Sequence, residues 1–246
     1  MESIFQKVDC AQCKLSGVCL SRGLQPDEIK QFERIVKRKR PVKEDQFLFR
    51  QEDHSQSLYV VKSGSFRSFI WDIEGGEQTI GFYLPGDLVG LDALQTTDRH
   101  HCSVVALETS SVCEIPLQQL NDLAGTIPRL RIQLLRMIGE QIVSDQNNIV
   151  LLGNRTAIEK VATFLLVLSQ RYYALGYSGK EFNLSMPRHD IANYLGLSLE
   201  TLSRQLGFLI KHGAISVKHR GVQISDMRLL MSIVEPATTK RFTYAM

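Results

Sequence analysis

The chain has 246 residues, 43% hydrophobic and 22% charged, a mixture that excludes a disordered or low-complexity protein and suffices for two modest cores. No apolar run reaches the roughly 18 residues of a membrane span, and the start, Met1-Glu2-Ser3-Ile4, has neither the basic region nor the apolar stretch of a signal peptide. A cytoplasmic protein with no membrane partner is expected, and its net charge of +3 is unevenly held: from Gly153 onward 12 Lys and Arg face 6 Asp and Glu, against 17 and 20 in the remainder.

The first feature along the chain is Cys10-x2-Cys13-x5-Cys19, within a segment we delimit as residues 1–24. In a reducing compartment three such close thiols point to metal or redox chemistry rather than disulfides. A tetrahedral zinc or a cubane cluster needs a fourth ligand, for which Cys102 and Cys113 are candidates; His54, His100 or His101 could complete a zinc site instead. The spacing suits both metals, and Ala11, Ser16 and Gly17, which let the backbone wrap a large group, tilt only weakly toward a cluster.

Pro26 with Asp27 and Glu28 starts a short helix that runs to about Lys37. From Asp45 to Pro116, short runs rich in Val, Ile, Phe and Tyr alternate with turn signals at Ser63-Gly64, Gly75-Gly76 and Pro85-Gly86-Asp87. Residues 25–127 therefore read as one domain built on a small antiparallel barrel or roll.

A long helix follows over residues 128–153. Leu135, Ile138, Ile142, Ile149 and Leu152 fall at alternating spacings of three and four, with Asp145 in the one vacant slot, which is the seam of a coiled coil and predicts a homodimer. A helix laid on its own barrel would show a similar stripe. In a dimer, a two-fold axis brings two Asp145 carboxylates together and opposes association.

Residues 154–246 form the last domain. A helix spans Ala157 to Ala174 and ends at Gly176; a strand covers Phe182-Asn183-Leu184. Arg188 to Leu195, the turn Gly196-Leu197-Ser198, and a helix from Leu199 to Lys211 stopped by Gly213 make a helix-turn-helix, with Ala214 to Ile224 as a closing hairpin. The start of the second helix of such a motif enters the major groove, so Glu200, Ser203 and Arg204, on one face, are the candidate base readers. Arg188 and Thr201 are candidate phosphate contacts. An i,i+4 surface ion pair between Glu200 and Arg204 is the plain alternative. The basic balance of this domain fits double-stranded DNA as partner. No hydrolase, zinc-protease, phosphate-loop or dinucleotide fingerprint occurs, so no enzyme is expected.

Nearly the whole chain resembles the FNR (fumarate and nitrate reduction regulator) branch of the cyclic-AMP receptor protein superfamily. The resemblance lies in the cysteine spacing, Leu84-Pro85-Gly86-Asp87-Leu88-Val89-Gly90, the run Ala106 to Pro116, and Glu200-x2-Ser203-Arg204. It implies an α+β protein: an N-terminal cyclic-nucleotide-binding-like β-roll, a dimerisation helix, and a C-terminal winged helix-turn-helix. It further implies an oxygen-labile [4Fe–4S] cluster on Cys10, Cys13, Cys19 and Cys113, leaving Cys102 spare, which oxygen converts to [2Fe–2S]. The loaded homodimer is then expected to bind a palindrome with TTGAT-like half-sites and to recruit RNA polymerase to genes of anaerobic metabolism, with the hairpin Asp72 to Glu77 as candidate contact. Cyclic-nucleotide binding is argued against, since no arginine stands beside the serine in His101-Cys102-Ser103, although Arg99 is near.

Overall fold

A computed structural model describes residues 9–71, 75–95 and 98–234. The start Met1–Ile4 and Asp72–Glu74 of the candidate polymerase hairpin lie outside the described residues. The chain divides into two compact units, 1–145 and 146–246.

In the first unit, α1 (Pro26–Ile35) carries a capping box, in which the Glu28 carboxylate accepts the Gln25 N–H at 2.7 Å. It ends two residues earlier than expected: Lys37 belongs instead to β1 (Lys37–Arg38), which pairs with β8. The roll is built from β2 (Phe47–Phe49), β3 (Ser57–Ser63), β4 (Phe66–Trp71), β5 (Glu77–Tyr83), β6 (Leu88–Val89), β7 (Ser103–Ala106) and β8 (Ser111–Pro116). Two antiparallel four-stranded sheets result, ordered β1-β8-β3-β6 and β2-β7-β4-β5. Gly64, where the chain turns from β3 into β4, has φ +76°, and a Cβ there would strike Ser110, so glycine is required.

Strand parity sorts the buried residues into two cores. Tyr59 and Val61 of β3 and Val112 of β8 join Phe49, Phe66, Cys102, Val104 and Ala106 in one core. Leu58 and Val60 of β3 and Ile115 of β8 face the other way, into a second core with Phe32 of α1, Leu120 of α2 (Leu117–Thr126) and Leu130 of α3 (Pro128–Asn154). β3 is buried along five consecutive residues because both its faces are covered.

The second unit holds α4 (Ala157–Ala174), β9 (Glu181–Asn183), α5 (Arg188–Tyr194), α6 (Leu199–Lys211), β10 (Ile215–Lys218), β11 (Gly221–Ile224) and α7 (Met227–Val234). Gly176 stands at φ +80° just past α4, and the Tyr177 N–H returns to the Tyr172 carbonyl at 3.0 Å, which closes the helix end. The wing sheet is ordered β10-β11-β9. Leu165 and Leu168 of α4, Leu195, Leu202, Leu209 and Leu230 form its buried centre.

Candidate cluster site and nucleic-acid interface

The cysteine loop is a series of tight turns. The Cys13 N–H donates to the Cys10 carbonyl at 3.3 Å, Ser16 N–H to Cys13 at 3.0 Å, and Cys19 N–H to Leu15 at 2.8 Å. Leu20 and Leu24 anchor the end of the loop in the second core, and Val18 lies over Gly86, where a Cβ would come within 2.7 Å of its side chain.

Parity of the strands decides which barrel cysteine meets this loop. Cys113 alternates with Val112 on β8 and turns out of the roll, packing with Cys10 and Cys19 against the second core. Cys102 shares the parity of Val104 and Ala106 and turns into the roll. Cys10, Cys19 and Cys113 thus share one core, Cys13 lies between the first two in the loop, and Cys102 belongs to the other core.

The electrostatics fit a cationic guest. Burial, followed by the neighbouring Cys19 and Cys113, pushes the Cys10 thiol up to about 12. Burial and Cys19 push Cys113 to about 11 against the pull of Lys62 and Arg38, and Cys19 is raised by burial. Each thiolate penalises the next, so ionising all of them requires compensating positive charge at the site, which iron or zinc supplies. Among the described residues, no group of three or more His, Cys, Asp or Glu forms a ready-made site for one metal ion. Burial likewise raises Cys102 to about 12, so the shift alone does not separate it from Cys10; its place in the other core does.

Inside the roll, His100 is buried and stacks on Phe49 with ring centroids 3.6 Å apart, its Nδ1 lying 3.1 Å from Asp92 Oδ1. Arg99 donates from Nη1 to the Glu52 carbonyl at 2.6 Å.

In the second unit, Gly196 at φ +61° makes the turn between α5 and α6. The Ser198 hydroxyl caps α6 by accepting the Thr201 N–H at 3.1 Å. Leu202, Leu206 and Leu209 bury one face of α6 against Ile191, Ala192 and Leu195, so Glu200, Ser203 and Arg204 stand exposed on the opposite side. Arg204 donates to Thr201 Oγ1 at 3.1 Å, and among the described residues no ion pair ties it to Glu200. Arg188 is exposed at the start of α5, whereas the Thr201 hydroxyl is already engaged by Ser198 and Arg204.

Along α3, Leu135, Ile142, Ile149 and Leu152 are exposed, as are Ile132, Val143 and Val150. Ile138 is half-buried, and Asp145 is exposed with its carboxylate accepting from Gln141 Nε2 at 2.8 Å. So broad an apolar surface on one helix is unusual in a monomer.

The family model described as a cyclic nucleotide-binding domain matches residues 39–126, and that of a Crp-like helix-turn-helix domain matches 159–233. The chain is 43% identical to an anaerobic regulatory protein of Haemophilus influenzae, over 95% of this chain and 90% of that one. It is also 42% identical to a fumarate nitrate reduction regulatory protein of Klebsiella oxytoca, over 94% and 92% of the respective lengths. The chain belongs to the FNR family. Among solved structures it resembles FixK2 from Bradyrhizobium japonicum, with a TM-score of 0.75 and 28% identity over 82% of this chain and 99% of that one. As a member of the FNR family it is a DNA-binding transcription regulator and not an enzyme. Among its described residues, no helix is long and apolar enough to cross a membrane.

Sequence reasoning missed α2 and α7, and it missed Glu33, whose carboxylate accepts the Cys10 N–H at 2.6 Å. A lone glutamate 23 residues from its partner leaves no periodic or spacing signal.

Proposed function

We propose that this FNR-family protein is a cytoplasmic, oxygen-responsive regulator of anaerobic metabolism that binds double-stranded DNA as a homodimer, with Cys10, Cys13, Cys19 and Cys113 as ligands of a [4Fe–4S] cluster. One observation carries the reading: Cys10, Cys19 and Cys113 share a single core with the base of α3. Cys10 is buried there with Leu130, and Leu134 and Met137 of α3 pack against it beside Cys19 and Cys113. The relatives, an anaerobic regulatory protein and a fumarate nitrate reduction regulatory protein, support the anaerobic assignment.

The cluster, when bound, supplies the iron that offsets the thiolate charge and an oxygen-labile tie between loop and strand. The chain's own residues convey its presence. An ordered cysteine loop holds Leu20 and Leu24 in place and steadies Leu130, Leu134 and Met137. The stripe of Leu135, Ile138, Ile142, Ile149 and Leu152 can then meet its symmetry mate despite Asp145. A coupling of about 1–3 kcal/mol suffices to move a weak dimer across its working concentration.

The dimer sets two α6 helices one DNA turn apart on a palindrome with TTGAT-like half-sites. Glu200, Ser203 and Arg204 read base edges, Arg188 and Thr201 meet phosphates, and RNA polymerase is engaged through the hairpin from Asp72 to Glu77. A cyclic nucleotide is not the signal in this reading, because Arg99 is committed to the Glu52 carbonyl and His100 and Phe49 fill the interior beside it.

Anaerobic purification tests the proposal. About four irons and four sulfides per chain, and binding to a TTGAT palindrome that is lost on exposure to air, are expected. A colourless zinc protein whose DNA binding ignores air overturns it.

A further inference from the structure

Cys10 opens the cysteine loop, and its backbone is held by an element far along the chain. It is held by α1. Glu33 Oε1 accepts the N–H of Cys10 at 2.6 Å in a partly buried setting, and the N–H of Ala11 lies 3.4 Å from the same oxygen. The contact links residues 23 apart in sequence. Phe32, the neighbour of Glu33, is buried to 1% exposure in the core shared with Leu20 and Leu130, which fixes the helix that presents the carboxylate.

A bond from a backbone amide to a carboxylate is charge-assisted and stronger than a neutral one. It is also a costly choice here, because an anion beside a thiol opposes the thiolate. An amide would hold the loop without that penalty, so the carboxylate trades ease of ionising Cys10 for a firmer grip on its backbone.

We infer that Glu33 is a positioning residue for the cysteine site, clamping the backbone of Cys10 and Ala11 to α1 so that the first thiol is presented to the cluster. This role rests on the proposed cluster ligation, but the clamp itself exists without any guest. The two can therefore fail separately.

The experiment uses the full chain with Glu33→Ala, Glu33→Gln and Glu33→Asp, each first checked for native circular dichroism. Amide hydrogen exchange of the metal-free protein at Cys10 and Ala11 should quicken about tenfold or more in Glu33→Ala, the loss expected of a hydrogen bond to a charged group. Glu33→Gln keeps an acceptor and should recover most of the protection. After anaerobic reconstitution, Glu33→Ala should lose its cluster in air several times faster than the parent. Glu33→Gln should retain it, with a midpoint potential raised by removal of the negative charge. Should Glu33→Ala fail to fold, Glu33→Asp, one methylene too short, should show the same loss of protection in smaller measure.

Exchange at Cys10 and Ala11 unchanged within twofold in Glu33→Ala, or in Glu33→Asp if that is the variant that folds, overturns the clamp. So does a Glu33→Gln variant as defective as Glu33→Ala. A parent protein that takes up no iron–sulfur cluster while the exchange pattern holds would sink the proposed ligation and leave the clamp standing.

Discussion

Arg38 stands directly across the β1–β8 ladder from Cys113, and its positive charge acts on the barrel thiol. Directly opposed residues of an antiparallel pair have Cβ atoms within about 5.5 Å. With Lys62, Arg38 pulls the Cys113 thiol down against the burial that raises it to about 11. Arg38→Gln should lower the midpoint potential of the bound cluster by on the order of 60 mV, a tenfold change in a one-electron equilibrium. Anaerobic spectroelectrochemistry reads it, and an unshifted potential would show that the guanidinium does not act on the site.

The opposite parity of Cys113 and Cys102 separates their variants. Cys113→Ala should abolish cluster assembly in anaerobic reconstitution. Cys102→Ala should assemble a normal cluster and cost only the modest stability of a small buried side chain. Visible absorbance and iron content measure both, and a cluster retained in Cys113→Ala would reassign the fourth ligand.

Asp145→Ala removes the charge from the apolar stripe of α3. The variant should dimerise without the cluster, its association tightened roughly 5- to 150-fold, the range of a coupling of about 1–3 kcal/mol. Sedimentation in air checks this: a monomer persisting at the concentration where the loaded parent is dimeric counts against the switch.

Two residues of α6 should fail in different ways. Arg204→Ala should flatten base preference at one position of each half-site by about 1–3 kcal/mol. Ser198→Ala, which removes the cap, should lower the stability of the second unit by about 1 kcal/mol while leaving the preference among sites intact. Fluorescence anisotropy on single-base variants of the palindrome, beside urea titration, distinguishes them.

Asp92 gives the first unit a pH dependence. Its burial pulls the carboxyl upward, but the hydrogen bonds from His100 and the His101 N–H outweigh burial and hold it below its ordinary 3.8. A carboxyl depressed by folding stabilises the native state above its unfolded value and loses that contribution as pH falls through the folded value. Urea midpoints of the parent should therefore fall steeply below about pH 4, and Asp92→Asn should flatten that limb.

Much of this was legible in the sequence because it is periodic or punctuated. Gly176, Gly196 and Gly213 end or join helices as their φ values require, and the helix over Ala157–Ala174 and the recognition helix over Leu199–Lys211 lie where the apolar spacing put them. Lys37 was drawn into α1 because nothing in its own residue type distinguishes the last helical turn from a two-residue edge strand; pairing with Glu114 decides it. The parity that turns Cys113 outward and Cys102 inward could not be counted from residue types alone: β3 and β7 read as nearly continuous apolar runs, and Glu114, which interrupts β8, shares the parity of the inward Val112 and bonds to Ser57. A resemblance singled out Cys113 where spacing left two candidates. Glu33 escaped because a single long-range hydrogen bond writes no pattern.

β3, covered on both sides, acts as a party wall. Leu58 and Val60 furnish the room that houses the cysteines and the foot of α3, while Tyr59 and Val61 furnish the room that houses Phe49 and Cys102. Residues two apart on one strand thus answer to one occupant and their neighbours to another. The interior of the roll can be refurnished during evolution for a different guest without disturbing the cysteine chamber, and the chamber can be emptied without collapsing the roll.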